Sequence, residues 1–389
     1  TLTEIGLTAR AHDPAADHTE EPMDFAFLTA MLRSPQLPPS DPWMAGLKIS
    51  YYYLGYLIIS LVGRLSGTPA GIAYNLGLAQ TFALAVVGGY GVVHDLLARR
   101  RCAKLWGVLG GVSLGLAGNL EGLFELLHSR GLGGVGFYRW LDIPGLVDAP
   151  VTGSWLPQDA WWWWRASRII SDPNILLRSS TVITEFPAFS FILGDMHPHV
   201  MSLLALFLAL GLALEVYRSA HRGPSVSWWR QSHLWIVPLF LGALGMINSW
   251  DLPTVLLVAG LAWGIGRWRG RADGWRWMRD TALWGAWLCL GSILLYGPFF
   301  RNLSSQAQGI GLAYYAKTPL KQYLIQFAPW IIPILGEVAI AWCSLVRSDR
   351  RIARWLWLLM LLAPWLGTLI AGGWGRLLLG LVTVALRGP

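Results

Sequence analysis

Charged residues are scarce in this chain. Only 13% of its 389 residues are Asp, Glu, Lys or Arg, whereas 54% are hydrophobic and 24 are Trp. Soluble domains carry about 25% charged residues. The shortage of charge excludes an ordinary soluble enzyme and predicts an all-α protein that crosses a membrane several times. In a membrane protein, the basic residues behind the net charge of +8 indicate the orientation in the membrane. We therefore expect no nucleic-acid partner.

Several familiar chemical signatures are also missing. The three cysteines, Cys102, Cys289 and Cys343, are widely spaced, which excludes a disulfide framework and a cysteine-based metal site. Glycine-rich phosphate loops are not evident, and no Ser-His-Asp pattern stands out. The alternation of a β-barrel is absent. The apolar runs therefore predict helices, which satisfy their backbone hydrogen bonds in lipid.

Long apolar runs are abundant. They lie at about 70–97, 105–120, 199–217, 234–250, 252–266, 281–298, 326–346 and 355–371. A helix needs about 20 residues to span a bilayer, and we predict about nine transmembrane helices. We also expect a helix upstream of Thr1 and a continuation beyond Leu377–Leu386, because that last run is too short to span alone.

Positive charge concentrates in four short linkers between apolar runs. They hold 16 of the 30 Lys and Arg residues and only two acids, Asp273 and Asp349. The linker cations are Arg99, Arg100, Arg101, Lys104, Arg218, Arg222, Arg230, Arg267, Arg269, Arg271, Arg276, Arg279, Arg347, Arg350, Arg351 and Arg354. If the helices alternate, all four linkers fall on one side, which the positive-inside rule makes cytoplasmic.

This topology requires that residues 51–65, YYYLGYLIISLVGRL, do not cross the membrane. Arg64 and the short length favour a juxtamembrane helix on the outer face, whereas a crossing would place the Arg99 linker outside. The outer face then holds 16 of the 22 acidic residues. We predict an outer region over residues 1–69 and a transmembrane domain over residues 70–389, with an outer loop at about 121–198.

The stretch GDMHPHV, residues 194–200, places titratable groups beside an apolar run. Pro198 favours the first turn of a helix, so a spanning helix should begin near His197 to His199, after a bend at Gly194. Asp195, His197 and His199, with Glu185, could bind a divalent cation such as Mn²⁺, Mg²⁺ or Zn²⁺. Direct hydrogen bonding to a phosphate or sugar, or a purely structural polar network, are the alternatives.

A second stretch, residues 20–56, carries two aspartates in a Pro-rich loop with aromatic neighbours. Asp24 or Asp41 could act as a general base on an acceptor hydroxyl or hold a cation. A turn or a helix cap is the simpler interpretation, above all for Asp41, which lies between Ser40 and Pro42.

The third stretch, QDAWWWWRASRIISDPN, predicts an element at the membrane interface, where Trp is favoured. Arg165 and Arg168 lie three residues apart, hence on one face of a helix, and arginine forks suit phosphate oxygens. Headgroup anchoring is the alternative. We predict substrate binding by Arg165, Arg168, Glu121, Asp251 and Tyr52.

Six blocks of the chain together resemble the "YYY" family of uncharacterised polytopic membrane proteins. They are EPMDFAF, PPSDPW, SYYYLGY, WWRASRII, ITEFPAFSFILGDMHPHVM and NSWDLPT, between about residues 20 and 255. Glu21 stands where the resemblance leads us to expect Lys.

That family is similar at fold level to membrane glycosyltransferases of the C-type fold, which take a sugar from a polyprenyl-phosphate donor on the outer face. The resemblance implies that Asp24 serves catalysis. We therefore predict an integral-membrane glycosyltransferase of a prokaryotic plasma membrane, with an extracytoplasmic active face, a polyprenyl-phosphate-linked sugar as donor and lipid as its surroundings. A solute or ion transporter and a structural subunit of a membrane complex are the alternatives.

Overall fold

The computed structural model describes residues 20–158, 162–173, 179–222, 227–270, 274–304 and 318–347. The described helices, in chain order, are α1 (Glu21–Arg33), α2 (Leu54–Ser66), α3 (Ala70–Leu96), α4 (Ala103–Leu116), α5 (Glu121–Ser129), α6 (Val135–Leu141), α7 (Trp162–Arg165), α8 (Pro187–Leu193), α9 (Pro198–Arg222), α10 (Val237–Ile247), α11 (Leu252–Arg269), α12 (Gly274–Leu295), α13 (Gly297–Asn302) and α14 (Leu320–Arg347). Two three-residue strands, β1 (Ser171–Pro173) and β2 (Ser179–Thr181), complete the described elements.

The chain divides into two compact units. The first comprises Thr1–Ala117 and Pro187–Ala307, and the second comprises Gly118–Phe186 and Gln308–Pro389. This division differs from the predicted boundary at residue 69, which concerns membrane topology and stays a prediction.

The apolar runs predicted the helices well where the structure describes them. The predicted spans at 70–97 and 199–217 form α3 and α9, which are long and apolar enough to cross a membrane. Among the described residues, only these two helices meet that test, or three if a broken pair counts as one span. The remaining described runs form α4, α10, α11, α12 and part of α14. About nine spans are therefore not shown, and the run at 355–371 lies outside the described residues.

Most of the stretch 51–65 lies in the short helix α2 (Leu54–Ser66), whose 13 residues are too few to span the hydrocarbon core. Arg64 lies near the end of α2, and hydrogen bonds to the end of α1 accommodate its charge. Its guanidinium donates hydrogen bonds to the carbonyl oxygens of Met31, Leu32 and Ser34, at 2.8, 2.5 and 3.2 Å. The orphan carbonyls that end α1 are thus satisfied by a cation, as the helix dipole favours.

The break ahead of α9 has a conformational cause. Gly194 adopts φ +92° between α8 and α9, a region that side chains other than glycine rarely enter. Pro198 is the first residue of α9, where its missing N–H costs nothing. The predicted bend and helix start are confirmed here.

Close helix packing builds the first unit. A Cβ atom at Gly111 of α4 would lie 2.7 Å from the Val86 carbonyl oxygen of α3, so the two backbones approach as small residues allow in membrane helices. Farther along the chain, α11 packs extensively against α9. The indole N–H of Trp284 donates to the Ala259 carbonyl oxygen at 3.1 Å and joins α12 to α11.

The second unit is smaller in its described part. The strands β1 and β2 pair antiparallel, with Ser171 opposite Thr181. Asn119 donates to the Ala166 carbonyl oxygen at 2.6 Å and to the Gln326 side-chain oxygen at 2.8 Å. These bonds join α5, the segment after α7 and α14, and a small apolar core around Leu146 and Ile169 fills the space between them.

Candidate functional site

Two separate stretches of the first unit place titratable side chains in one region, which we call the acid–histidine cluster. Its members are Glu20, Glu21, Asp24, Asp195, His197 and His199. The start of α1 contributes the first three, and the turn between α8 and α9 contributes the other three. The two stretches are about 170 residues apart in the sequence, and the fold brings them together.

Asp24 lies at the buried end of the cluster, with no exposed surface. Its Oδ1 accepts a 2.5 Å hydrogen bond from the Tyr56 hydroxyl, while its Oδ2 has no hydrogen-bond partner among the described residues. Burial raises the pKa of Asp24 to about 8, and the nearby charges of Asp195 and Glu20 add to the rise. The bond from Tyr56 opposes the rise but does not cancel it. Such a carboxyl can give or take a proton near neutral pH.

Tyrosines hold the two stretches in place. The Tyr74 hydroxyl on α3 accepts a hydrogen bond from the Met196 N–H at 3.0 Å and donates to the Gly194 carbonyl oxygen at 3.4 Å. It thereby fixes the turn that carries Asp195 and His197. Burial raises the pKa of Tyr56 well above its ordinary value, so its hydroxyl stays protonated and remains a donor to Asp24.

The two histidines form a hydrogen-bonded chain. His197 Nε2 lies 2.5 Å from Glu20 Oε2, His197 Nδ1 lies 2.8 Å from His199 Nδ1, and Ser190 Oγ lies 3.5 Å from His199 Nε2. Burial lowers the pKa of His197, although Glu20 opposes the effect, so the neutral ring is favoured. One set of neutral tautomers satisfies these three contacts: Ser190 donates to His199, His199 donates to His197, and His197 donates to Glu20.

The cluster runs from a closed end to an open end. Asp24 is fully buried, whereas His199 and Glu20 are exposed, Glu20 with 56% of its side chain accessible. Tyr51 lies between them, with its hydroxyl 3.3 Å from His197 Nε2. A ligand would therefore meet the histidines first, while Asp24 lies at the buried end of the cluster.

The predicted metal ligands do not form a ready-made metal site among the described residues. Among the described residues, no group of three or more His, Cys, Asp or Glu side chains is arranged to hold a metal ion. The 2.8 Å between the two Nδ1 atoms is a hydrogen-bond distance. Two nitrogens on a tetrahedral zinc ion lie about 3.3 Å apart, given Zn–N bonds of about 2.0–2.1 Å. A divalent cation on Asp195, His197 and His199 stays a prediction.

Two other predicted residues of the first unit, Asp41 and Asp251, have ordinary structural roles. Asp41 Oδ1 accepts hydrogen bonds from the N–H groups of Trp43 and Met44 at 2.8 and 3.0 Å, which is the turn considered from the sequence. Asp251 precedes α11 and accepts a 3.0 Å bond from the Asn248 amide.

Tyr52 contributes an aromatic face rather than a polar contact. Its ring packs against that of Tyr51, with the centroids 5.1 Å apart. Its predicted role in substrate binding is untested.

The second unit contains the remaining predicted residues. Glu121 and Glu125 lie one turn apart on α5, and both are buried. Arg165 forms an ion pair with Glu125 through Nε, so its fork is engaged within this unit. The two carboxyl groups share one arginine, an arrangement that disfavours two negative charges at once.

The prediction that Arg165 and Arg168 share a helix face is wrong. Helix α7 ends at Arg165, because the chain turns there and Arg168 donates to Ser167 instead. The guanidinium of Arg168 lies 4.4 Å from the centre of the Trp164 ring, a cation–π contact. Glu185 belongs to this unit and lies near Arg168, and its predicted role as a metal ligand is untested.

Sequence reasoning missed several partners of these residues. In the sequence, Tyr56 is simply one aromatic residue of an apolar segment. A tyrosine hydroxyl in apolar surroundings nevertheless needs a hydrogen-bond partner. Glu20 and Glu125 each lie four residues from a predicted site residue, which is one helical turn. That spacing could have pointed to both.

The apolar helices and the titratable cluster define a helical membrane protein. A family model described as uncharacterized membrane protein (DUF2298) matches residues 4–388. The chain therefore belongs to this family of membrane proteins, and the match extends well beyond residue 255, where the recognisable blocks end. Neither the curated proteins nor the solved structures include a significant match. The family description names no activity.

Proposed function

We propose that this protein is an integral-membrane glycosyltransferase that uses a polyprenyl-phosphate-linked sugar at the outer membrane face. The observation that carries the proposal is Asp24, a buried carboxyl group with a pKa near 8, in the same cluster as His197 and His199. A general base works best when its pKa lies near the operating pH.

The proposed transfer needs a base on one side of the sugar and a stabilised leaving group on the other. The Asp24 carboxylate takes the proton of an acceptor hydroxyl. The acceptor oxygen then bonds to the anomeric carbon of the sugar, while the bond from that carbon to the phosphate oxygen breaks. The polyprenyl phosphate leaves with the electron pair.

The histidines suit the leaving group. His199 is exposed at the open end of the cluster, and its ring can donate a hydrogen bond to a phosphate oxygen once a ligand replaces the contact with His197. Donors aimed at developing charge are worth about 10²–10³ in rate. We assign catalysis to Asp24 rather than Asp41, because the latter carboxylate already accepts two backbone hydrogen bonds.

Transfer from defined donors tests the proposal. The full-length protein, purified and placed in liposomes, is incubated with a panel of radiolabelled polyprenyl-phosphate sugars and a membrane extract that supplies acceptors. We expect Asp24→Asn to lower the rate by about 10²–10⁴, because it removes the base while keeping the shape. His199→Ala should lower it by about 10²–10³.

Asp41→Asn is the matched control, since it changes a carboxyl group of the same outer region that serves a turn. If no donor in the panel is consumed, or if Asp24→Asn transfers sugar at the wild-type rate, the glycosyltransferase proposal fails.

One observation favours a second candidate, a solute or ion transporter. The helix break at Gly194 stands beside buried and titratable groups, and carriers use broken helices to build ion sites. Solute uptake by these liposomes, without consumption of a lipid-linked sugar, would favour the transporter.

A further inference from the structure

Helix α5 carries three titratable side chains on one buried face in the second unit. Glu121, Glu125 and His128 are 0%, 1% and 6% exposed. Their positions along α5 are four and three residues apart, which places them on one side of the helix. Arg165 of α7 lies beside this face and forms an ion pair with Glu125 through Nε. We call Glu121 and Glu125 the α5 carboxyl pair.

The two members of the α5 carboxyl pair differ in their partners. Glu125 has a cation, since its Oε1 accepts the hydrogen bond from Arg165 Nε. Glu121 has no hydrogen-bond partner at Oε1 or Oε2 among the described residues, and both oxygens are buried. An ionised carboxylate in this position would have neither water nor a donor to stabilise its charge. The ionised form of Glu121 is therefore strongly disfavoured.

A single proton satisfies the pair. Two carboxylates cannot hydrogen-bond to each other, because neither has a donor, whereas a protonated carboxyl group has one O–H donor. Glu121 lies within hydrogen-bonding contact of Glu125, so a protonated Glu121 donates to Glu125. A carboxylate accepts several hydrogen bonds, and Glu125 keeps its bond from Arg165 at the same time. One carboxylate and one guanidinium then remain, and their charges cancel.

The groups around the pair supply no second cation in the described part of the chain. There, Glu125 and Arg165 are the charged groups that act on Glu121. His128 lies one turn beyond Glu125, but its Nδ1 is buried and has no partner among the described residues, whereas an imidazolium needs acceptors for both N–H groups. The ring of Tyr138 on α6 meets the His128 ring edge to face, with the centroids 4.5 Å apart. One arginine thus faces two carboxyl groups.

We propose that the α5 carboxyl pair is a proton-binding site, in which Glu121 and Glu125 share one proton and Arg165 balances the remaining charge. A larger ligand does not fit, because both Glu121 oxygens are buried. Among the described residues, no group of three or more His, Cys, Asp or Glu side chains is arranged to hold a metal ion. The inference is independent of sugar transfer and concerns residues outside the acid–histidine cluster.

The shared proton stabilises the packing of α7 on α5. Arg165 is the last residue of α7 and follows Trp163 and Trp164, whose rings pack with centroids 5.9 Å apart. If the proton left, two carboxylates would face one guanidinium, and a buried net negative charge would weaken this contact. The position of the tryptophan-rich helix α7 on α5 therefore depends on a bound proton.

Infrared difference spectroscopy of the full-length protein in nanodiscs tests the shared proton. A protonated carboxyl group has a carbonyl stretch that a carboxylate lacks. At neutral pH, we expect Glu121→Gln to lose the band of one protonated glutamic acid relative to the wild type. Glu125→Gln should lose the same band, because the remaining Glu121 carboxylate then pairs with Arg165 and needs no proton. Loss of one band on either substitution is the signature of sharing.

Asp142→Asn is the control in the same unit. Its side chain is 64% exposed and lies 3.3 Å from Lys321 Nζ, and Asn suits the left-handed backbone at this position, φ 60°. The acid band should be unchanged in this variant.

Two outcomes would overturn the proposal. If neither Glu121→Gln nor Glu125→Gln loses an acid band, the pair holds no proton. If the band is lost in Glu121→Gln but persists in Glu125→Gln, burial alone protonates Glu121 and the proton is not shared. If Glu125→Gln fails to fold, Glu125→Asp replaces it: a shifted Glu121 acid band supports the sharing, and an unmoved band overturns it.

Discussion

Two regions of the first unit bury an aspartate in contrasting ways. Asp280 on α12 has a 2.6 Å ion pair with Arg267 on α11, and both side chains are at most 3% exposed. Asp24 is just as buried, but its partner is the neutral hydroxyl of Tyr56, and its charged neighbours are acids. The first carboxylate is neutralised by a cation and joins two helices. The second must bear a raised pKa instead.

The difference separates a structural from a functional use of a buried charge. A buried pair with good geometry holds helices together but has no proton to exchange at neutral pH. When a buried carboxyl group without a cationic partner ionises, the folded protein loses stability. Proteins tolerate that cost mainly where the group takes part in chemistry. Each of the following experiments tests one side of this contrast.

Breaking the ion pair should have the largest effect on stability. Arg267→Leu leaves the Asp280 charge buried without its main partner, and we expect a loss of about 3–5 kcal/mol in the free energy of unfolding. The double variant Arg267→Leu/Asp280→Leu should recover most of this loss, because it removes both charges together. Thermal unfolding in detergent measures both. A single variant as stable as the wild type would contradict the structural role.

The pH dependence of stability should show the other side of the contrast. Asp24 binds its proton more tightly in the folded state, with a pKa of about 8 against an ordinary 3.8. The folded state therefore holds more protons between these values, and the contribution of Asp24 to stability falls as pH rises from about 4 to about 8. We expect a loss of a few kcal/mol across this range, because each tenfold change in proton affinity corresponds to about 1.4 kcal/mol.

Asp24→Asn removes this titration. The pH slope of the unfolding free energy between about pH 4 and 8 should become flatter in the variant, while Asp41→Asn should keep the wild-type slope. Unfolding curves recorded at several pH values provide the comparison, and identical slopes in Asp24→Asn and wild type would count against the raised pKa.

Tyr56→Phe should have a moderate effect. It deletes the hydroxyl that stabilises ionised Asp24, and we expect a loss of about 1 kcal/mol in stability together with a further rise of the Asp24 pKa. A pH titration of unfolding, compared with Tyr53→Phe on the same segment, measures both. A downward shift of the Asp24 pKa in Tyr56→Phe would refute the proposed partnership.

Asp41→Ala should have the smallest effect. The residue is half-buried and its hydrogen bonds hold only a local turn, so we expect a loss of about 0.5–1 kcal/mol and no change in sugar transfer. A large loss of transfer activity would instead return Asp41 to the catalytic assignment.

The sequence was informative where local chemistry decides structure. Pro198 and Gly194 are intrinsically suited to a helix start and a bend, so the entry into α9 was predictable. Arg64 and the short length favoured a helix α2 that does not span, and the 13 residues of the helix agree, although the bonds of Arg64 to the end of α1 were not foreseen. The family resemblance singled out Asp24, but it did not indicate that the residue is fully buried.

Long-range pairings could not be predicted in the same way. The contacts of Asp24 with Tyr56 and of Arg267 with Asp280 depend on how helices pack, and a single sequence records periodicity but not partners. Arg165 and Arg168 show the opposite failure. Their spacing of three residues predicts that they share one helix face, but helix α7 ends at Arg165. Intrinsic propensity over only four residues is too weak to extend a helix against tertiary contacts.

The most direct test of the account is the pH dependence of kcat/KM for sugar transfer from a polyprenyl-phosphate donor. If Asp24 is the base, kcat/KM in the wild type should rise with pH, reach half its maximum near pH 8 and level off above that pH, because only the ionised carboxylate accepts the proton. Asp24→Asn should lower the rate at every pH and abolish this rise. Transfer that is independent of pH between 6 and 9, or a rise of the same shape and height in Asp24→Asn, would contradict the account.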